Sequence, residues 1–462
     1  MIAAAAELRP ASFIQQGQWR WLKDAPSATA YAALGLVGTG TIDDDRLAAA
    51  VHEVAAGMPA LRMNLIENTG GLCWCTNDSD IALSRTSLLG QHDPGQRCVE
   101  LMLADRDRDT EVARDPLVRF HLVRLSGDDV VLGLIAHRLV LDGPARFMVL
   151  SAIWQAYFGR YRPSQFVDFA AVAALSPVAK PEAVARRQNW WAQRLQRHGA
   201  VVSTAAQGIT GAGVSTVRRR VSGARWRALT APGGMAGGSG SLVLAALTAW
   251  WLRESGRCGD IPCLRTEVDL RSYLDQGAVI GPLSDYLVFD VDLSGLVSPS
   301  FRDVMLRTRA GYLEALVHYL PYAQVVDVAV GIGITGPDRA ASRWDVTVHI
   351  CQDAPVTAHE RRERMLREIG VFVGLFREAE LLGVEAHYRG QVWDGTNIHL
   401  TVGEENQDSV LVLEHNRDPA VWARHAGMLE ALDAALDIAI GDPDMPLVLP
   451  VLSQPPSDVI ES

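Results

Sequence analysis

An apolar strand that ends in polar residues places the strongest constraint on how this chain folds. The run Val130–Ala136 is followed directly by His137-Arg138, then by three apolar residues and Asp142-Gly143. The apolar run Phe147–Phe158 comes next and predicts a buried helix. Polar side chains at the end of a buried strand lower stability unless they find hydrogen-bond partners. The segment therefore predicts a buried strand, a polar turn whose side chains are satisfied by other residues, and a helix.

Strands and helices alternate along the rest of the chain, which is typical of an α/β fold. The segment Val118–Leu125 predicts the other strand of a hairpin with Val130–Ala136, around the turn Ser126–Asp129. An amphipathic helix is predicted at residues 12–24. The run Gly233–Gly240 favours a flexible connection that opens a second half of the chain.

Composition excludes several classes of protein. The chain has 462 residues, of which 48% are hydrophobic, enough for two to four globular domains. Its net charge of -11 offers nucleic acid no general electrostatic attraction. No basic region precedes the first apolar run, and no stretch of about 18 apolar residues occurs. We therefore expect a cytoplasmic protein without a signal peptide or a membrane span.

Cysteine and histidine spacing gives no metal motif. The six cysteines lack the paired CxxC spacing of zinc sites and predict reduced, mostly buried thiols. The histidines His52, His92, His121 and His198 also lack ligand spacing, and we interpret them as packing or surface residues. No metal site is predicted.

Residues 134–143 resemble the hallmark of a known family, the condensation domains of nonribosomal peptide synthetases. These domains belong to the chloramphenicol-acetyltransferase-like superfamily, and their hallmark reads His-His-x-x-x-Asp-Gly. Segments that resemble other motifs of the family follow in the family's order: Ser12–Trp19, Met58–Arg62, Asp115–Arg119, Phe166–Ala170, Val268–Arg271 and Ile280–Asp285. Each motif is weak alone, but their order and spacing together are specific.

The resemblance implies an α/β fold of two chloramphenicol-acetyltransferase-like lobes, set in a V shape with a central tunnel. The expected N-terminal lobe covers residues 1–178, the C-terminal lobe residues 179–452, and a tail residues 453–462. In this family, carrier proteins dock at the tunnel ends and insert their phosphopantetheine arms. The expected partner is therefore a peptidyl carrier protein, and no cofactor bound by the chain itself is expected.

The resemblance also assigns roles to the hallmark residues. Asp142 is expected to form a structural ion pair with Arg271, and breaking such a pair from one side costs about 3–5 kcal/mol. His137 corresponds to the first histidine of the hallmark, a buried hydrogen-bonding residue. Gly143 is the glycine that completes the motif.

Two residues depart from the family pattern. Arg138 occupies the position of the second histidine, which positions the attacking amine. An imidazole accepts a proton near neutral pH, whereas a guanidinium has no acceptor and stays protonated. Asp285 stands where the family has asparagine, and the resemblance places it in the tunnel with Arg138. A pair formed by these two side chains would leave a catalytically inert centre.

Three hypotheses follow from Arg138. A His-Arg-x-x-x-Asp hallmark distinguishes the X-domains of glycopeptide-antibiotic synthetases, which have lost catalysis and recruit haem-thiolate oxygenases to carrier-bound peptide. The chain shares the arginine but keeps Gly143, where that subgroup often has aspartate. The first hypothesis is such a recruitment domain. The second is an active acyltransferase that forms an amide or ester from a carrier thioester by orientation alone. The third is a spacer that binds neither partner.

Overall fold

The computed structural model separates into two compact units. It describes residues 8–23, 27–77, 81–173, 180–197, 214–221, 223–230, 240–271, 278–334, 346–348, 372–375, 398–405, 408–416 and 427–450. The first unit comprises Met1–Ala179, Asp269–Ser284 and Ala354–Gln391, and the second comprises Lys180–Val268, Asp285–Asp353 and Val392–Ser462. Two segments that follow residue 179 in the chain therefore belong to the first unit. The predicted tail 453–462 and the glycine run before Gly240 lie outside the described residues.

The described helices and strands alternate along the chain. The helices are α1 Phe13–Leu22, α2 Ser27–Ala30, α3 Asp44–Gly57, α4 Pro94–Asp107, α5 Gly143–Tyr157, α6 Phe169–Ala173, α7 Pro181–Gln196, α8 Gly223–Thr230, α9 Gly240–Glu254, α10 Phe301–Val317, α11 Tyr322–Gly331 and α12 Met428–Gly441. The strands are β1 Arg9–Pro10, β2 Tyr31–Thr39, β3 Met63–Asn68, β4 Gly71–Thr76, β5 Ala82–Ser87, β6 Val118–Arg124, β7 Asp129–His137, β8 Val167–Asp168, β9 Val214–Val221, β10 Cys263–Asp269, β11 Val279–Ile280, β12 Ser284–Asp290, β13 Val346–Val348, β14 Phe372–Leu375, β15 Ile398–Glu405 and β16 Asp408–Asn416.

The first unit is built on a five-stranded sheet with the order β14-β2-β7-β6-β5. The predicted hairpin is confirmed, because β6 and β7 pair antiparallel around the turn at Ser126–Asp129. Strand β7 lies in the middle of the sheet and is buried along almost its whole length. This burial explains why the strand is apolar on both faces.

The helix after the hallmark begins earlier than the apolar run predicts. Helix α5 starts at Gly143, four residues before Phe147, because the Asp142 side chain caps it by accepting a hydrogen bond from the Ala145 N–H. A proline at the start of the helix, Pro144, fixes a helical backbone angle where no hydrogen-bond donor is needed.

The second unit is built on a six-stranded mixed sheet with the order β12-β10-β13-β15-β16-β9. Strands β10, β13 and β15 pair parallel, whereas β15, β16 and β9 pair antiparallel. Helix α9 is buried along most of its length, and helix α10 begins with a capping box formed by Ser300 and Asp303. No helix in the described part of the chain is long and apolar enough to cross a membrane.

A glycine allows helix α10 to lie directly against the main chain that ends β12. A Cβ atom at Gly311 would lie 1.9 Å from the carbonyl oxygen of Asp290. Because the obstacle is backbone, the helix itself must move to make room. We expect Gly311→Ala to lower the free energy of unfolding by about 1–3 kcal/mol, measured by urea denaturation.

Gly331→Ala is the matched control for this substitution. Gly331 is the last residue of α11, and a Cβ atom there meets no other atom within 4 Å. Alanine is the better helix former, so this variant should be as stable as the parent. Equal stability of the two alanine variants would show that α10 shifts without cost.

Candidate functional site

The hallmark turn is shaped by main-chain hydrogen bonds around His137. The carbonyl oxygen of His137 accepts from the N–H groups of Val140 and Leu141, which reverses the chain after β7. The N–H of His137 donates to Leu117, and the N–H of Arg138 donates to the carbonyl oxygen of Ala30. The backbone of the His-Arg pair is thus fixed by the residues that immediately precede β6 and β2, the two neighbours of β7 in the sheet.

The opening helix also supports this turn. Gln15 is fully buried, and its side-chain amide donates to the carbonyl oxygen of Leu139 at 2.8 Å. Gln15 also closes a capping box with Ser12, in which each side chain accepts from the other residue's N–H. The motif segment Ser12–Trp19 and the hallmark are therefore in direct contact.

His137 is a buried, neutral side chain whose acceptor nitrogen is already used. Its Nδ1 accepts a hydrogen bond from the Leu139 N–H at 3.2 Å, and its ring packs edge-on against Tyr31. Burial, followed by the positive charges of Arg138 and Arg119, lowers the pKa of the imidazole to about 3. At neutral pH this histidine cannot take up a proton.

Arg138 follows His137 at the point where the strand ends. The residue is half-buried, and its charge is one of the causes of the lowered His137 pKa. A guanidinium keeps its proton in proteins and offers only donors. Neither member of the His-Arg pair can therefore act as a general base at neutral pH.

Asp142 is held by donors from separate parts of the first unit. Its Oδ1 accepts from the Ala145 N–H at 2.9 Å and from Arg271 Nη2 at 3.0 Å. Its Oδ2 accepts from Arg271 Nη1 at 2.8 Å and from the N–H groups of Leu283 and Ser284 at 2.7 and 2.8 Å. Both oxygens are thus occupied, which leaves this carboxylate a structural and not a chemical role.

All three side-chain nitrogens of Arg271 donate hydrogen bonds. Besides its two hydrogen bonds to Asp142, it donates from Nε to the Val279 carbonyl oxygen and from Nη2 to the Gly281 carbonyl oxygen. Its Nη1 also donates to Asp269 at 2.9 Å. Burial disfavours the charged guanidinium, but the charges of Asp142 and Asp269 and their hydrogen bonds together outweigh burial and raise the pKa of Arg271. These contacts explain why Asp269–Ser284 belongs to the first unit.

The glycines near the hallmark differ in how strictly they are required. A Cβ atom at Gly143 would only reach ordinary contact distance from Arg146, so space does not demand glycine there. A Cβ atom at Gly281 would lie 2.3 Å from the ring of Phe169. Glycine at position 281 therefore lets the segment that carries Arg271 lie against α6.

Asp285 lies in the second unit and is buried. Its Oδ2 accepts from the Tyr319 hydroxyl and from the Tyr322 N–H. Burial raises the pKa of this carboxyl, and the hydrogen bonds from Tyr319 and Tyr322 oppose that rise. Because these partners belong to the second unit, the pairing of Asp285 with Arg138 stays a prediction. Sequence reasoning missed both tyrosines, since neither lies in a motif with Asp285.

Comparison with known proteins identifies the family. A family profile described as "Condensation domain" matches residues 6–223. The crystal structure of the tallysomycin biosynthesis protein TlmII is 49% identical, with a TM-score of 0.82, and the match covers 96% of this chain and 100% of that one. The fold is that of the chloramphenicol-acetyltransferase-like α/β proteins. The chain belongs to the condensation-domain family.

Two further relatives show the range of the family. A probable non-canonical nonribosomal peptide synthetase of Salinispora arenicola, CymA, is 28% identical over 348 residues, which are 70% of this chain. The chain spans only 4% of the length of that synthetase. The X-domain in its complex with OxyB from teicoplanin biosynthesis has the same fold, with a TM-score of 0.69 and 18% identity over 98% of both chains.

Proposed function

We propose that this chain is a condensation-fold domain of nonribosomal peptide biosynthesis that forms no amide bond and instead recruits a tailoring oxygenase to carrier-bound peptide. The observation that carries the proposal is the absence of a competent base in the hallmark pair. Arg138 keeps its proton, and the pKa of the buried His137 is about 3 while its Nδ1 accepts from Leu139. Peptidyl carrier protein and a haem-thiolate oxygenase are the partners that this function requires.

The intact framework around the hallmark supports retention of the fold for another purpose. Asp142 and Arg271 keep their full set of hydrogen bonds although the catalytic position is substituted. A surface used for docking needs only this framework, whereas amide formation by general-base catalysis needs a proton acceptor as well. The X-domain bound to OxyB is a domain of the same fold in complex with such a partner.

Binding and amide formation measured on the same preparation test the proposal. The chain is titrated by calorimetry against the haem-thiolate oxygenases and carrier proteins encoded beside it. In parallel, a donor and an acceptor loaded on carrier proteins are incubated with the chain, and an active condensation domain serves as the positive control. We expect saturable binding to an oxygenase and no amide product detectable by mass spectrometry.

Two variants sharpen the interpretation of this experiment. Arg138→Ala should also give no product and should bind the oxygenase as the parent does, because the proposed role does not use the guanidinium in chemistry. Amide product from the parent that persists in Arg138→Ala and falls in an Asp142 variant would establish the acyltransferase instead. If the chain binds neither partner and forms no product, only the third hypothesis, a spacer, remains.

A further inference from the structure

A second polar cluster lies on the first unit's sheet, away from the hallmark turn. Register places Ser84 of the edge strand β5 opposite His121 of β6, which in turn lies opposite Gly133 of β7. Side chains directly opposite one another on neighbouring strands share a face of the sheet. Ser84 and His121 are therefore adjacent on one face, at the edge of the sheet.

Helix α4 reaches this face because glycine leaves room for it. A Cβ atom at Gly133 would lie 2.8 Å from the terminal methyl group of Met102 and 3.3 Å from the Cβ atom of His121. Asp105 follows Met102 by three residues, and residues three apart lie next to each other on one face of a helix. The close approach of α4 thus brings the Asp105 carboxylate to the ring of His121.

The hydrogen bonds in the cluster define one continuous chain. Asp105 Oδ2 lies 2.9 Å from His121 Nε2, and the Ser84 hydroxyl oxygen lies 2.7 Å from His121 Nδ1. The Ser84 hydroxyl can also donate to the Phe120 carbonyl oxygen, at the longer distance of 3.5 Å. Ser84 is exposed to solvent, and about a tenth of the His121 side chain is exposed.

The ionisation of Asp105 fixes the tautomer of the imidazole. Burial alone would raise the pKa of Asp105, but the hydrogen bonds from His121 and Arg119 and the positive charges of these two side chains together outweigh burial and lower the pKa to about 2. An ionised carboxylate only accepts, so a neutral His121 must carry its proton on Nε2. Its Nδ1 is then a free lone pair directed at the Ser84 hydroxyl.

We propose that Ser84 is a nucleophile, activated by His121 as general base and by Asp105 as positioning residue, that takes acyl groups from activated esters and phosphonyl groups from fluorophosphonates. In the acyl reaction the Ser84 oxygen attacks the carbonyl carbon while its proton passes to His121 Nδ1. The ester C–O bond then breaks, and the leaving oxygen takes that proton. Attack by water on the acyl-serine, through the same base, returns the free hydroxyl.

The exposed hydroxyl is the part of the cluster that a purely structural role does not need. Arg119 donates to Asp105 from Nε at 2.9 Å and to the Asp105 carbonyl oxygen from Nη2, which already ties α4 to the sheet. Removing the Ser84 hydroxyl leaves those bonds intact. The effect of removing the Ser84 hydroxyl on reactivity therefore distinguishes a nucleophilic serine from one that only helps to hold α4 against the sheet.

Labelling with a fluorophosphonate probe tests the proposal directly. The probe forms a P–O bond to an activated serine with loss of fluoride, and mass spectrometry of peptides locates the modified residue. We expect stoichiometric labelling of Ser84 in the full chain. Ser84→Ala should abolish it, whereas Ser87→Ala, which removes another exposed hydroxyl of β5, should leave the rate unchanged.

His121→Gln tests the role of the base separately. The amide keeps a polar side chain at the position but cannot accept the serine proton, so labelling should slow by about 10²-fold or more. p-Nitrophenyl acetate is the second probe, and its acetyl group should be found on Ser84. Labelling that survives in Ser84→Ala, or no labelling of the folded parent, would overturn the proposal. The cluster would then have only the structural role of holding α4 against the sheet.

Discussion

Replacing Asp142 by alanine is expected to lower the free energy of unfolding of the first unit by about 3–5 kcal/mol, the largest loss we expect from one substitution in this chain. The variant leaves the buried guanidinium of Arg271 without its principal counter-charge, and the Arg271 side chain is only 5% exposed. It also leaves the N–H groups of Leu283 and Ser284 without their acceptor. The helix cap on Ala145 is lost as well.

Urea denaturation followed by far-ultraviolet circular dichroism measures this loss. Asp444→Ala is the matched control, because it also removes an aspartate from an arginine, but the Arg302–Asp444 pair is exposed on both sides. Exposed pairs contribute little, so the control should unfold close to the parent. If both variants unfold at the same urea concentration, the carboxylate of Asp142 is not a structural anchor.

A double-mutant cycle separates the pair from its surroundings. Arg271→Ala alone leaves Asp142 with its main-chain donors but without its buried counter-charge. The double variant removes both charges, so its loss in free energy of unfolding should be smaller than the sum of the losses of the two single variants. Strict additivity would indicate that the two side chains act independently in the folded unit.

Local structure around the hallmark was predictable because it depends on neighbours in the chain. Apolar runs separated by Ser126–Asp129 can form a hairpin without help from distant residues, and the structure contains that hairpin. The start of α5 was misplaced because the prediction followed hydrophobicity, whereas the capping side chain of Asp142 determines the first helical residue. Caps are encoded by single polar residues that a search for apolar periodicity passes over.

The assembly of distant polar groups was not predictable in the same way. The main-chain donors of Leu283 and Ser284 bind Asp142, but any residue type can supply an N–H group, so the sequence carries no signal for them. The sequence predicts only a packing or surface role for His121. Its partners, Ser84 and Asp105, come from an edge strand and a helix, and only the register and the approach of α4 bring them together.

The division into units shows a further limit of sequence reasoning. The lobes expected from the resemblance, residues 1–178 and 179–452, are continuous stretches of the chain, but a compact unit need not be continuous. The pairing of β11 with β8 and of β14 with β2 places later segments in the first unit. Strand pairing between distant segments depends on geometry that local patterns do not contain.

The stability of the chain is expected to fall in mild acid because of His137. Its pKa is about 3 in the folded chain and 6.5 in a solvated peptide. Above pH 6.5 both states are neutral, so the residue contributes no pH dependence. As the pH falls below 6.5, the unfolded chain takes up a proton that the folded chain does not, and the free energy of unfolding falls by up to about 1.4 kcal/mol per pH unit until the folded pKa is reached.

Other groups titrate differently over this range. Asp105, with a folded pKa of about 2, loses its contribution only below about pH 4. Asp285 has a raised pKa in the folded chain, so it opposes the effect of His137 by favouring the folded state as the pH falls. The pH dependence of the parent's free energy of unfolding therefore understates the contribution of His137. A variant is needed to isolate that contribution.

His137→Asn is that variant, because its side-chain oxygen can accept the Leu139 N–H as the imidazole Nδ1 does. Its absolute stability will be lower, since the smaller side chain leaves space in a buried position. The informative quantity is the change in the free energy of unfolding between about pH 6.5 and about pH 4.5, from urea titrations of both proteins. Over that interval the parent should lose about 2–3 kcal/mol more than the variant. Equal losses would mean that His137 takes up its proton in the folded chain, which would restore an ionisable group to the hallmark and remove the main support for a domain without a base.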